Sequence, residues 1–559
     1  MKNIISYFSF KQIDIYLIGF LCISTLFFNF LFIDLCLIFK LKFVLFVFPL
    51  SILISYLLAL FKFPISKVNG IMLFFIAIIL TTLLINSFMI DFSQDGMLYH
   101  KGIILEISKK WNPIHEEMTK NIPFQYVYNH YVKGIEFSQY SVYSLTGNIE
   151  SSKIINFLFL LSSLSFTYLS IKKIFYRNIF SIVFTLFLHV NPIVINQIFT
   201  FYVDGIIFLS LLICLSLLIL KSFDKKWPYI DLTLLMIIVL FVNIKLTSFV
   251  LVICLFFFYF MYLLSAKRIK ENKHNFKLLI VSGIMIGIVS WYPFGENLLR
   301  KGNPIYPVVG KNKIDIIEHQ RPPSLKGNLS IIAAFKSLFY RVNHAPHSWS
   351  NNTINENIEE FKIPFSFKFY EIKYSSIACA RLSGLGFWFS GFFIVAIILF
   401  ITMFFYLKKD QMNLIILFTL FIFFSIIPFI QGAWWARFIP QLWIFPIFIF
   451  FVSYYLGNAI LKVISQISLV LVVIMIFIIG GYNYSKTIYN SYEKRKCLTM
   501  LKKCFGDKII PIKVDYDSEE FYFKEYGINA RNISIEDFEK DKQNYYLFQK
   551  YYFIKKDGE

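Results

Sequence analysis

The stretch FMIDFSQDGMLYHKG (residues 88–102) closes a long apolar run with two carboxylates, Asp91 and Asp95, followed by Tyr99 and His100. A carboxylate costs roughly 2.5–3.5 kcal/mol at the centre of a bilayer and little at its boundary. Partly withdrawn from water, such a group is expected to have a raised pKa, which suits it to take a proton from a hydroxyl. The plainer reading is that both aspartates mark a helix end. Three more charged residues interrupt apolar segments: Asp204 in YVDG, Lys245 in VNIKLTS and Arg437 in WWARFIPQ. An intramembrane lysine is a functional candidate by default, or it snorkels to the interface at a helix hairpin. Arg437 either holds a phosphate with its planar fork or anchors an aromatic belt. Asp204, at the start of a run, also reads as an N-cap.

These residues need a membrane scaffold. The chain has 559 residues, 57% hydrophobic and 20% aromatic, with a mean hydropathy of +0.63. That exceeds what a soluble globular chain carries and predicts an all-α polytopic membrane protein. The net charge of +21 is spread over short loops, which argues for membrane topology and against nucleic acid. At about 20 residues per span, runs fall near 13–33, 42–62, 68–90, 153–171, 178–197, 204–220, 229–244, 246–265, 277–295, 385–406, 412–430, 438–457 and 466–484, about thirteen in all. The 229–265 stretch must be split by a tight turn at VNIKLTS to make two short helices. Lys2 and Lys11 precede the first run with no small-residue cleavage signal after it, which predicts an uncleaved anchor.

The Lys/Arg-rich loops KKIFYR (172–177), KSFDKKW (221–227), KRIKENKHNFK (267–277) and KKD (408–410) fall on one side and predict a cytoplasmic N-terminus in a cytoplasmic (inner) membrane. Lys40 and Lys42 in the first outer loop run against that pattern. The long loops 91–152 and 296–384, and a tail from 485 with short β-like runs, are then extracytoplasmic. The tail predicts a small α/β domain. Residues 1–67 supply added spans, 68–484 the core and 485–559 the tail. No internal repeat is seen.

DGMLYH resembles the aspartate-tyrosine signature that opens the first external loop of GT-C-type glycosyltransferases, a superfamily that includes protein O-mannosyltransferases and lipid A aminoarabinose transferases. In the same order, NHYVKGIEFSQYSVYSLTGNIESSKIIN (129–156) is similar to the rest of that loop. NPIVINQIFTFYVDG (191–205) resembles the Pro-to-Asp stretch on a later span, VNIKLTS (242–248) the intramembrane Lys, KGNPIYP (301–307) the second large loop and ARFIPQLW (436–443) the late Arg motif. The set covers most of the chain to about residue 445. Two departures stand out: Gly96 occupies the position where the family commonly has Glu, and two spans precede the signature. The resemblance implies transfer of a sugar from a polyprenyl-phosphate donor to an envelope glycan, lipid or protein acceptor at the outer membrane surface. It implies Asp95 as general base with Asp91 beside it, Lys245 and Arg437 on the donor phosphate, and Tyr99, His100, Asp204 and Asn303 on the substrates. The alternatives are an O-antigen or capsule polymerase, expected to rely on loop arginines, and a flippase of lipid-linked saccharides that needs no base.

Other candidate chemistry is weaker. His344 and His347 have a metal-like spacing, but Pro346 between them breaks a helical ligand pair. Asp91 and Asp95 could hold Mg²⁺ or Mn²⁺ through oxygen alone, yet no third carboxylate stands near them in the sequence, so no cofactor is expected. Cys497 and Cys504 either pair or lie on one helix.

Overall fold

The computed structural model describes residues 11–120, 122, 124–223, 227–265, 270–315, 317, 320–342, 360–514, 516–532, 546–548 and 553–554. In chain order its principal helices are α1 (Gln12–Ile38), α2 (Val47–Leu60), α3 (Ile65–Phe88), α4 (Lys101–Ser108), α5 (Gly134–Thr146), α6 (Ile154–Phe175), α7 (Asn178–His189), α8 (Asp204–Phe223), α9 (Ile230–Val242), α10 (Ser248–Ser265), α11 (Lys270–Val289), α12 (Trp291–Lys301), α13 (Phe389–Met403), α14 (Lys409–Phe424), α15 (Ile444–Leu456) and α16 (Ala459–Phe505). His344 and His347 lie outside the described residues.

Among the described residues, α1, α3, α6, α8, α10 and α16 are long and apolar enough to cross a membrane, or seven spans exist if α11 and α12, bent by 72° at their break, count as one. Six or seven of the thirteen expected runs are thus helices of full spanning length. Helices α2, α7, α9, α13, α14 and α15 have 12 to 16 residues. At 1.5 Å per residue they cover about 18–24 Å, short of the roughly 30 Å hydrocarbon core. Local chemistry shortens them. Asn191 caps a new short helix, Pro192–Gln197, by accepting from the Ile193 N–H, so the run that began at α7 is broken there. The run before α15 opens with 3₁₀ turns at Ala436–Phe438 and Pro440–Trp443. The 229–265 stretch breaks at VNIKLTS as expected, with α9 ending at Val242 and α10 starting at Ser248.

The centre of the bundle is α1, α6 and α8, with α6 packed against both of the others. A helix apolar on all sides must be buried or face lipid, and close approach between such helices depends on small side chains. A Cβ on Gly19 would stand 2.8 Å from the Phe166 ring, so α1 meets α6 there without a side chain between them. Thr25 bonds Ser55 at 3.3 Å, and Ser216 bonds Thr167 at 3.2 Å. By contrast, α3 leaves Leu73, Leu80 and Leu84 exposed along one side, an apolar stripe suited to lipid.

Helix α16 has 47 residues, about 70 Å, and passes residues 484–485 without a break. Its charged half carries a four-stranded sheet of order β2-β1-β3-β4, made of β1 (Ile510–Val514), β2 (Ala530–Asn532), β3 (Tyr546–Phe548) and β4 (Phe553–Ile554). β1 runs parallel to β2 and β3, and β4 is antiparallel to β3. Cys497 and Cys504 lie on α16 about 10 Å apart along its axis, beyond the reach of a disulfide.

The tail grips the segment that follows α3. The Ile90 N–H donates to Ser491 at 2.9 Å, Ser518 donates to the Met97 carbonyl at 2.7 Å, and Lys101 reaches the Tyr522 hydroxyl at 2.7 Å.

Candidate functional site

A cavity of about 600 Å³ opens at the end of the bundle where α3 and α9 finish and α8 and α10 begin. That volume lies within the range of small-molecule sites. Four of its charged residues come from separate parts of the chain. Asp95 precedes a π-helical turn, Gly96–His100, after α3; Asp204 starts α8; Lys245 lies in the turn between α9 and α10; Arg437 is in the first 3₁₀ turn before α15.

The four alternate in sign. Arg437 Nη1 is 2.7 Å from Asp95 Oδ2 and 3.8 Å from Asp204 Oδ2, and Lys245 Nζ is 2.7 Å from Asp204 Oδ1. Tyr99 donates to Asp95 Oδ2 at 2.8 Å. Aromatic rings surround the guanidinium: Arg437 Cζ is 4.4 Å from the Trp435 ring centre and 4.8 Å from that of Tyr202, and Lys245 Nζ is 4.4 Å from the Phe438 ring. These faces attract cations and exclude water. Arg437 Nε is buried and has no hydrogen-bond partner among the described residues.

The electrostatics of Asp95 reverse the expectation of a raised pKa. Burial pushes it up, but the Arg437 charge and the hydrogen bonds from Arg437 and Tyr99 outweigh burial and hold the carboxyl below its ordinary range. Desolvation pulls Arg437 down, and Asp95 more than offsets this, so the guanidinium stays charged.

The π turn also decides which side chains face the cavity. Its wider i→i+5 spacing brings residues four and five apart to one side. Tyr99 and His100 therefore flank Asp95, and all three line the cavity. His100 Nδ1 is 2.6 Å from Glu136 Oε1 on α5, and Glu136 lines the cavity as well. Glu136 was not singled out in the sequence, where it reads as an ordinary helix carboxylate in VKGIEFSQY. Nothing in its spacing reveals that α5 turns it inward.

Asp91 stands elsewhere. Its carboxylate accepts from the Ser93 N–H at 2.7 Å, the Ser93 hydroxyl at 2.9 Å and the Phe201 N–H at 3.0 Å, and it does not line the cavity. It shapes the turn that presents Asp95. This also explains Gly96, because a Cβ there would be 2.0 Å from Asp91 Oδ2. Asp91 and Asp95 point to different partners.

Asp204 uses its carboxylate on Lys245, Gln197 and Arg437, and makes no cap to its own helix among the described hydrogen bonds. Asn303 does not face the cavity. It accepts from the Ile305 N–H at 3.0 Å and donates to the Val309 carbonyl, ordering the loop whose residues Val308–Gly310 form part of the wall.

Tyr202 and Trp435 complete the site without having been singled out for it. Both were visible as aromatic residues beside the candidate charges, but only the fold brings them to one guanidinium. Among the described residues no three His, Cys, Asp or Glu side chains cluster as a metal site. Compared with known protein families, curated proteins and solved structures, the chain finds no match.

Proposed function

We propose that this protein is a GT-C-like membrane glycosyltransferase that moves a sugar from a polyprenyl-phosphate donor to a cell-envelope acceptor. The shorter apolar helices complete about thirteen membrane passes around the cavity, with the N-terminus cytoplasmic and the cavity and C-terminal tail on the outer side of the cytoplasmic membrane. One observation carries the reading: Asp95, Asp204, Lys245 and Arg437, from four distant segments, meet as a charge cluster around one cavity. Two of them are cations in an aromatic, poorly hydrated setting, the environment in which a phosphate is held strongly and the charge of a leaving phosphate is stabilised.

Asp95 and Asp204 hold those cations in place. A donor phosphate competes for Arg437, whose Nε is still unpaired. The sequence alone points to Asp95 for the acceptor proton. In its pair with Arg437 that carboxylate is a weak base, and it gains basicity only as the phosphate draws Arg437 away. Tyr99, Tyr202 and Trp435 offer ring faces and hydroxyls to the sugar.

Deleting the gene and examining envelope glycans and lipid-linked intermediates by mass spectrometry tests the reading. The expected result is loss of one sugar from an envelope glycan, with accumulation of its polyprenyl-phosphate form. An unchanged glycan profile with no accumulated lipid-linked sugar would overturn it. Accumulation confined to the inner leaflet would favour a flippase.

A further inference from the structure

Resting on the glycosyl-transfer reading, we propose that His100, oriented by Glu136, is the group that takes the acceptor proton, and that Asp95 acts as counter-charge to Arg437. The geometry has three parts. His100 Nδ1 is 2.6 Å from Glu136 Oε1. A carboxylate oxygen only accepts, so Nδ1 donates, and in the neutral imidazole the lone pair is then on Nε2. No hydrogen bond to Nε2 is found among the described residues, and His100 lines the cavity with only 6% of its surface exposed. This is the base-plus-orienting-group arrangement used by activated nucleophiles, with the hydroxyl supplied by the substrate.

Asp95 is less suited to the task as it stands. Its Oδ2 is already shared by Tyr99 and Arg437, and it would have to release Arg437 before it could accept a proton. His100 needs no such exchange.

In the step, the acceptor O–H proton passes to Nε2 while the acceptor oxygen bonds to the anomeric carbon. The bond between that carbon and the phosphate oxygen breaks, and its electron pair leaves on the polyprenyl phosphate. The imidazolium is stabilised by the Glu136 carboxylate and then returns its proton to water. The same cavity is lined by Glu136 on α5, Asp95 and Tyr99 on the ring's own turn, Asp204, Lys245, Lys313 and Arg437 from other elements, and Tyr126, Tyr131 and Tyr202. Lys133, at the N-terminal end of α5, is buried and bonded to the Tyr131 carbonyl at 2.7 Å and to Tyr292 at 2.8 Å.

The test uses full-length protein in lipid with a panel of polyprenyl-phosphate hexoses, N-acetylhexosamines and pentoses, and envelope extract as acceptor. His100→Gln is expected to lower transfer about 10²–10⁴-fold with donor binding and thermal stability unchanged. Added imidazole should restore part of the activity to His100→Ala. Glu136→Gln, which removes the carboxylate that orients the ring through Nδ1, should lower transfer less than His100→Gln does, with donor binding unchanged. Transfer by His100→Gln within threefold of wild type would overturn the role of the pair while leaving the transferase reading intact. No transfer by wild type from any donor of the panel would overturn both.

Discussion

Two buried charge networks lie a few residues apart in this protein, and they are built to opposite ends. The first is closed. Lys101 Nζ, fully buried, donates to the Asp91 carbonyl at 2.9 Å, to Glu150 at 2.6 Å and to Tyr522 at 2.7 Å, which uses its three donors. Glu150 also meets Lys153 at 2.5 Å and accepts from the Asp91 N–H at 3.1 Å. The second network, Asp95–Arg437–Asp204–Lys245, borders the cavity and leaves Arg437 Nε without a hydrogen-bond partner among the described residues. A saturated ion cluster specifies a position, because any member removed strands the others. An unsaturated one beside a cavity has capacity left for a ligand. Charge alone does not separate the two networks; what separates them is whether every donor has been used.

The largest expected effect comes from breaking the closed network. Lys101→Met removes one of the two buried cations that hold Glu150 and takes the donor away from the Asp91 carbonyl and the Tyr522 hydroxyl, and should cost roughly 3–5 kcal/mol of stability. Thermal unfolding in detergent or lipid would detect this as a marked fall in the midpoint. An unchanged midpoint would show that the network does not hold the tail to the segment after α3.

Breaking the open network should act mainly on ligand. Arg437→Met and Lys245→Met should each weaken binding of a polyprenyl-phosphate sugar by roughly 2–5 kcal/mol if the phosphate is desolvated, with a smaller loss of stability than in Lys101→Met. Binding measured by isothermal calorimetry or filter retention would decide it. Wild-type affinity in both variants would return Lys245 to interfacial snorkelling and Arg437 to an aromatic anchor.

The smallest effect is a pH dependence. A carboxyl held below its ordinary value stabilises the fold fully above that ordinary value, and the contribution is lost as pH falls through the lowered one. The stability difference between wild type and Asp95→Asn should therefore be constant from pH 8 to about 5 and shrink only below about pH 4. A difference that disappears near pH 6 would mean that the Arg437 pair does not hold Asp95 ionised.

The membrane character and the site charges were legible in the sequence, because a charge inside an apolar run is costly enough to stand out. Asp95, Asp204, Lys245 and Arg437 were all visible on that ground, and the fold brings them within a few ångströms of one another. Asp91 was visible for the same reason but belongs to the turn, since its partners are the backbone N–H groups of Ser93 and Phe201, which no spacing rule indicates. Glu136 was not legible, because its importance depends on a π turn rotating His100 toward α5. The length of several expected helices was not legible for a related reason. Hydropathy records that a run is apolar, but not where an Asn-Pro cap or a 3₁₀ turn breaks it, as at Asn191 and Pro440.

The central claim is that the open cluster accepts a lipid-borne phosphate and passes its sugar on. The most direct measurement gives purified protein in lipid either a polyprenyl-phosphate sugar or the corresponding nucleotide sugar, with envelope extract as acceptor, and follows labelled sugar into product. The account predicts product from the polyprenyl-phosphate donor, little from the nucleotide sugar, and little from either with Arg437→Met. Equal product from wild type and Arg437→Met, or transfer only from the nucleotide sugar, would contradict it.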